Sequence, residues 1–174
     1  MLITLVGPES TGKTTLAGDI SRELSAPLVD EFAREYIGLR ASISDFAYTE
    51  SDVLSIARTQ WEREQQAIHG GSQHVVLDTD LLVIKIWWQV RYGTCHPWIV
   101  EHLERQPARL YLLTSPDMDW EADPLRENPQ DRNWLFDLYK RELESMDVLY
   151  EVVSGDRAHR LNQAMKRIRV DLTS

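Results

Sequence analysis

Residues 2–24 read LITLVGPESTGKTTLAGDISREL. Leu2 to Val6 is an unbroken apolar run closed by Gly7, the pattern of a strand buried on both faces. From Lys13 onward, Leu16, Ala17, Ile20 and Leu24 recur at helical spacing. Between the two, Gly7-Pro-Glu-Ser-Thr-Gly12-Lys13-Thr14 fits G-x-x-x-x-G-K-[ST], in the strand, loop and helix context that a phosphate-binding P-loop requires. A chance match in a chain of this length has a probability of roughly half a percent before context is counted, so a bare glycine turn is set aside.

The residue types follow from the chemistry. Glycines let backbone N–H groups turn toward phosphate oxygens, and the N-terminus of the following helix adds partial positive charge. The candidate phosphate-binding residues are therefore Gly7, Glu9, Ser10, Thr11, Gly12, Lys13, Thr14 and Thr15. Lys13 suits the β- and γ-phosphates of a nucleotide, the Thr14 hydroxyl suits Mg²⁺, and Thr15 suits the α-phosphate.

Working outward, Ala26–Val29 is a second short apolar run, ending in Asp30 and Glu31, with a short helix over Phe32–Leu39. Residues 51–69 carry Val53, Ile56, Ala57, Gln60, Trp61 and Ile68 on one face, with Ser51 and Asp52 as caps and Gly70-Gly71 as the stop. His74–Leu77 runs into Asp78-Thr79-Asp80, and Leu110–Leu113 runs into Ser115-Pro116, both as interior strands. Helices are expected over 81–92, 98–105 and 134–146, a strand over 149–153 and a last helix over 156–168. Uniformly apolar strands alternating with helices predict an α/β fold, a parallel sheet sandwiched by helices.

Composition narrows the function. At 174 residues, 43% apolar and 27% charged, one ordinary globular domain over 1–174 is expected. A net charge of -9 repels a phosphate backbone, so no nucleic-acid partner is expected. The apolar stretch Leu81–Val90 is interrupted by Lys85 and Gln89 and falls short of the ~20 residues of a membrane span. With no signal-like N-terminus and the single cysteine Cys95, a soluble chain in a reducing cytoplasm is expected. Cys95 and His96 alone do not make a metal site and read as loop residues.

Other residues must separate a switch, a motor and a small-molecule kinase. Asp78, ending an apolar strand, is the carboxylate partner for Mg²⁺ or its waters, with a helix cap as the competing role. Asp30 and Glu31 would face the P-loop across the crevice and accept a hydroxyl proton, against the alternative of a solvated acidic loop. Residues 117–133 are charged, proline-rich and without period, and read as a flap. Within it Arg126 and Arg132 would neutralise phosphoryl charge, unless they make only surface ion pairs. Trp87, Trp88 and Tyr92 follow Asp80 closely enough to stack a planar base, although helical spacing favours core packing.

The segments GPESTGKTTLA at 7–17, EFAREY at 31–36, VLDTD at 76–80, Tyr111–Arg132 and SGDRAHR at 154–160 together resemble the ribosylnicotinamide kinase domain at the C-terminal end of bacterial NadR-type proteins. The resemblance spans nearly the whole chain. It implies a P-loop NTPase fold like that of nucleoside and nucleotide kinases, with a five-stranded parallel sheet and an arginine-containing lid. It also implies ATP- and Mg²⁺-dependent phosphorylation of nicotinamide riboside at its 5′-hydroxyl, giving nicotinamide mononucleotide for NAD biosynthesis. Carried over, Gly7–Thr15 hold phosphates, Thr14 and Asp78 serve the metal, Arg126 and Arg132 belong to the lid, and Glu31 is the substrate-side carboxylate with Asp30 as fallback. Arg34 belongs to the same segment. Asp80 would bind ribose hydroxyls, and Phe32, Trp88 or Tyr92 would flank the cationic pyridinium ring. The helix-turn-helix and adenylyltransferase domains of multi-domain relatives find no counterpart, so repression and adenylyl transfer are not expected. Another nucleoside or nucleotide as acceptor, or a non-catalytic ATP-binding regulator, are the competing readings.

Overall fold

The computed structural model describes residues 1–41, 48–119 and 131–171. Five strands, β1 (Leu2–Val6), β2 (Leu28–Val29), β3 (Val75–Asp78), β4 (Arg109–Thr114) and β5 (Tyr150–Val153), form one parallel sheet in the order β2-β3-β1-β4-β5. Seven helices connect them among the described residues: α1 (Lys13–Leu24), α2 (Phe32–Ala41), α3 (Glu50–His69), α4 (Leu81–Tyr92), α5 (Pro97–Glu104), α6 (Arg132–Ser145) and α7 (Arg157–Asp171). The expected α/β architecture is the one observed.

β1 is central and buried on both faces, Thr4 included, and every residue of β3 and β4 is buried as well. β1 runs in register with both neighbours, Leu2 opposite Val75 on one side and Arg109 on the other. Strand alternation then sorts the core. Ile3, Leu5, Val76, Leu110 and Leu112 pack against α1 and α7, while Val6, Tyr111 and Leu113 pack against α3, α4, α5 and α6. Each fully buried Leu or Ile contributes about 1.5–3 kcal/mol relative to exposure.

The observed ends differ from expectation where local chemistry outranks periodicity. α3 begins after Thr49, whose hydroxyl caps the Asp52 N–H while the Asp52 carboxylate caps the Thr49 N–H; Ser51 lies inside the helix. Asp52 also accepts from the Tyr36 hydroxyl at 2.7 Å and from Arg40 at 3.1 Å, tying α2 to α3. β2 shrinks to two residues, Leu28 and Val29, which pair with Val76 and Leu77 of β3.

In a parallel sheet all strands end on one side. The topology reverses at β1, whose successor β2 lies on one side and β4 on the other, and ligands of open parallel sheets bind outside the carboxyl ends at such a point. Gly7, Asp30, Asp78, Ser115 and Ser154 are the residues at those ends.

Candidate active site

The loop from Gly7 to Gly12 leaves β1 through a tight passage under β4. Gly7 has φ 136°, and a Cβ there would lie 2.6 Å from Thr114 Oγ1 and 2.8 Å from the Thr114 carbonyl, so only glycine fits. Thr11 is pinned to the same strand: its hydroxyl donates to the Pro8 carbonyl at 2.8 Å and shares a hydrogen bond with the Thr114 hydroxyl at 2.6 Å. Gly12, at φ 74°, starts α1 without a side-chain cap, in contrast to α3, α4 and α5. The first N–H groups of α1 therefore face the loop without a side-chain acceptor.

Lys13 closes the loop on itself, donating from Nζ to the Gly7 and Pro8 carbonyls at 2.9 and 2.6 Å. Thr14 and Thr15 are exposed, and Glu9 and Ser10 half-buried. Arg132, at the start of α6, donates to the Ser10 carbonyl at 3.3 Å and the Met118 carbonyl at 2.9 Å, so α6 delivers a guanidinium to the rim of the P-loop. Arg126 lies outside the described residues.

Asp78 ends β3 with a carboxylate that is 1% exposed. Burial pushes its pKa up, while the adjoining Thr14 hydroxyl and the Lys13 ammonium pull it back. Its Oδ1 is buried without a hydrogen-bond partner among the described residues. A buried unsatisfied oxygen is costly, and one beside a threonine hydroxyl at the head of a phosphate loop fits a hard cation with oxygen ligands. Thr14 and Asp78 therefore fit Mg²⁺. Thr79, with φ 76° between two aspartates, holds a backbone conformation uncommon for a β-branched residue.

Glu31 follows β2 and stands within electrostatic reach of Lys13, Asp78, Arg34 and Glu9. Desolvation raises its pKa, Lys13 opposes the rise and the Asp78 charge adds to it. The side chain nevertheless keeps 25% of its surface accessible. Its position is set from α3, where Gln60 Oε1 accepts the Phe32 N–H at 2.8 Å and so anchors the first turn of α2. Asp30 is exposed beside it. Arg34 is exposed and lies 3.9 Å from Glu31. The Phe32 ring packs edge-on to Tyr36 and lies under the Arg63 guanidinium at 4.4 Å.

Two expectations are corrected. Asp80 is fully buried and fully engaged: Oδ1 accepts the Leu82 N–H at 2.9 Å as the cap of α4, and Oδ2 accepts from Tyr111 at 2.8 Å and Arg109 at 3.2 Å. With Glu64, which pairs with Arg109 at 2.7 Å, it forms a buried structural network, and at 0% exposure it presents no oxygen to ribose. Trp88 is 3% exposed in the core, its ring edge-on to Tyr92 and His96 at 5.6 Å each. α4 must cross back to the start of β4, so at 1.5 Å per residue it carries Trp88 about 12 Å, and Tyr92 farther, from the crevice end at Asp80. Proximity in sequence is not proximity to the site.

Several residues were not singled out beforehand. Thr114 and Asp117 sit where β4 ends, and Arg160 reaches the P-loop from α7. Tyr139 of α6 is buried with its hydroxyl within electrostatic reach of Glu31 and Glu9, and burial raises its pKa. Thr114, Asp117 and Arg160 lie in segments that carry the resemblance, Tyr111–Arg132 and SGDRAHR, whereas Tyr139 lies in none of them.

Comparison with known proteins agrees with this fold. The NadR trifunctional NAD biosynthesis/regulator protein of Escherichia coli K12 is 23% identical over 124 residues, 71% of this chain and 30% of that protein. A NadR crystal structure in complex with NR superposes with a TM-score of 0.77 at 20% identity, covering 97% of this chain and 50% of that one. A deoxyadenosine kinase from M. mycoides superposes at 0.67 and 14% identity, covering 98% of this chain and all of that one. The chain thus spans half or less of its NadR relatives, and its fold is that of P-loop nucleoside and nucleotide kinases. The AAA_28 family model, described as an AAA domain, matches residues 2–160, and the chain belongs to that family.

Proposed function

We propose that this protein is an ATP- and Mg²⁺-dependent nucleoside kinase whose acceptor is nicotinamide riboside. One observation carries the reading: Glu31, which follows β2, lies within electrostatic reach of the P-loop Lys13 and of Asp78 at the end of β3. A P-loop switch needs no such group, whereas a kinase needs a base for the acceptor hydroxyl.

In this reading Gly7–Thr15 bind the phosphates, and Lys13 leaves the Gly7 and Pro8 carbonyls for the β- and γ-phosphates. Thr14 and Asp78 hold Mg²⁺, which when bound neutralises phosphate charge. Glu31, with Asp30 as the alternative, accepts the proton of the 5′-hydroxyl as its oxygen bonds to the γ-phosphorus and ADP departs. Arg132, with Arg126, offsets charge on the transferred group. Phe32 and Arg34 border the acceptor. The acidic wall of Glu9, Glu31 and Asp78 favours an acceptor bearing a positive ring, and a NadR structure in complex with NR supports that choice.

A second acceptor class is favoured by the deoxyadenosine kinase, which this fold covers over its whole length. Incubation with Mg-ATP and a nucleoside panel, with products identified by mass, tests both. Nicotinamide mononucleotide in proportion to ADP is expected. A different nucleoside monophosphate replaces the acceptor and keeps the mechanism; ATP binding without any phosphorylated product overturns the kinase reading in favour of a regulator. No helix among the described residues is long and apolar enough to cross a membrane, and action in the cytoplasm is part of the proposal.

A further inference from the structure

We propose that Arg160 is a positioning residue of the nucleotide site, holding the P-loop peptide at Thr11–Gly12 in its phosphate-binding orientation; the proposal rests on the phosphate-loop reading above. Arg160 lies in the first turn of α7 and is 2% exposed. Its Nη1 donates to the Thr11 carbonyl at 2.8 Å, its Nε to the Gly155 carbonyl at 2.7 Å and its Nη2 to the Ser115 carbonyl at 3.0 Å. Nη2 also pairs with Asp117, whose other oxygen accepts the Gly155 N–H at 2.6 Å. One planar fork thus ties together the three loops that leave β1, β4 and β5 at the crevice.

The bond to Thr11 has a directional consequence. Across a trans peptide the carbonyl and the following N–H point opposite ways. Drawing the Thr11 carbonyl onto the guanidinium turns the Gly12 N–H away from Arg160. Gly12 has no Cβ and sits at φ 74°, so its own conformation does not fix that plane. The clamp does. A buried guanidinium facing three carbonyls and one partly exposed carboxylate is also an expensive route to mere stability. Lysine cannot reproduce it, since an ammonium offers a point charge without the fork.

The test reads nucleotide binding separately from chemistry. Calorimetric titration of Mg-ATP into Arg160→Met is expected to show at least a tenfold weaker Kd, with Arg160→Lys in between. Nucleoside KM is expected to stay within twofold of the wild type. A folded Arg160→Met chain that binds ATP within twofold of wild type overturns the proposal, even if its Tm has fallen, because a purely structural clamp would move only Tm. If Arg160→Met does not fold, Asp117→Asn, at a 39% exposed carboxylate, carries the test: ATP affinity three- to fivefold weaker is expected, and unchanged affinity overturns the proposal. A wild-type chain that binds no ATP overturns the phosphate-loop reading and this one with it, whereas wild-type binding retained in both variants overturns this one alone.

Discussion

Replacing Gly7 with alanine tests whether the P-loop is held by β4 in the way the contacts imply. Two costs add. At φ 136° the backbone lies where residues with a Cβ are strained, worth about 1–3 kcal/mol. The new methyl would meet Thr114 Oγ1 at 2.6 Å, the Thr114 carbonyl at 2.8 Å and the Thr114 nitrogen at 3.2 Å. The hydroxyl can rotate away, but the carbonyl belongs to a strand in register with β1 and cannot move alone. Overpacking of this kind costs about 1–3 kcal/mol. The sum, about 2–6 kcal/mol, is a large share of the ~5–15 kcal/mol that holds a domain together. At roughly 2–4 °C per kcal/mol for a chain of this size, Tm should fall by about 10 °C. Urea and thermal unfolding followed by circular dichroism read the effect. Gly71→Ala is the control: φ is 75° but nothing lies within 4 Å of the new Cβ, so only the conformational cost of about 1–2 kcal/mol applies. Adding Thr114→Ala to Gly7→Ala removes the Oγ1 contact and leaves the carbonyl, so recovery should be partial. A Gly7→Ala protein that melts no lower than Gly71→Ala would refute the packing argument.

Lys13→Ala should abolish most phosphoryl transfer while leaving Tm within a few degrees, since the Lys13 ammonium donates to the Gly7 and Pro8 carbonyls of its own loop and lies outside the apolar core; near-wild-type turnover would remove Lys13 from the phosphate cradle. Glu31→Gln should lower kcat more than it weakens ATP binding, and should also raise Tm at pH 7. The sign follows from desolvation: because burial raises this pKa, the folded chain binds more protons than the unfolded one, and stability falls as pH rises past the unfolded value. Unchanged kcat would shift the proton-accepting role to Asp30 or Asp78. Asp52 has the opposite sign. The Thr49 and Tyr36 hydroxyls hold its pKa down to about 2 from 3.8, so it contributes stability above pH 4 that is lost as pH falls through about 2. Asp52→Asn should cost on the order of 2 kcal/mol at pH 7, with the gap to wild type narrowing below pH 4 in urea melts; a pH-independent gap would contradict the assignment.

Elements whose signal is local were legible. β1 and α1 follow from one apolar run, one periodic face and the glycines between them, and α3 from a long amphipathic pattern with a glycine stop. Its cap was misplaced by two residues because Thr49, Ser51 and Asp52 are all capping types, and the bond that distinguishes them is a geometric one. For Trp88 and Asp80, type and spacing allowed either a site or a core role. The direction in which α4 runs settled Trp88, and Arg109 and Tyr111, from a strand about thirty residues later, settled Asp80.

The amino-acid sequence by itself determined the phosphate loop, the alternation that makes the sheet parallel, and the carboxylates closing β2 and β3, because each is written in contiguous residues whose periodicity or chemistry is local. Tertiary structure alone decided that Glu31 and Asp78 are both desolvated near Lys13 while Asp80, two residues on, is consumed as a cap. It also decided that a threonine ending β4 and an arginine on α7 shape the P-loop from 103 and 149 residues away. Those outcomes depend on which strands lie side by side and which way each crossover helix returns, and no residue encodes either without its neighbours in space.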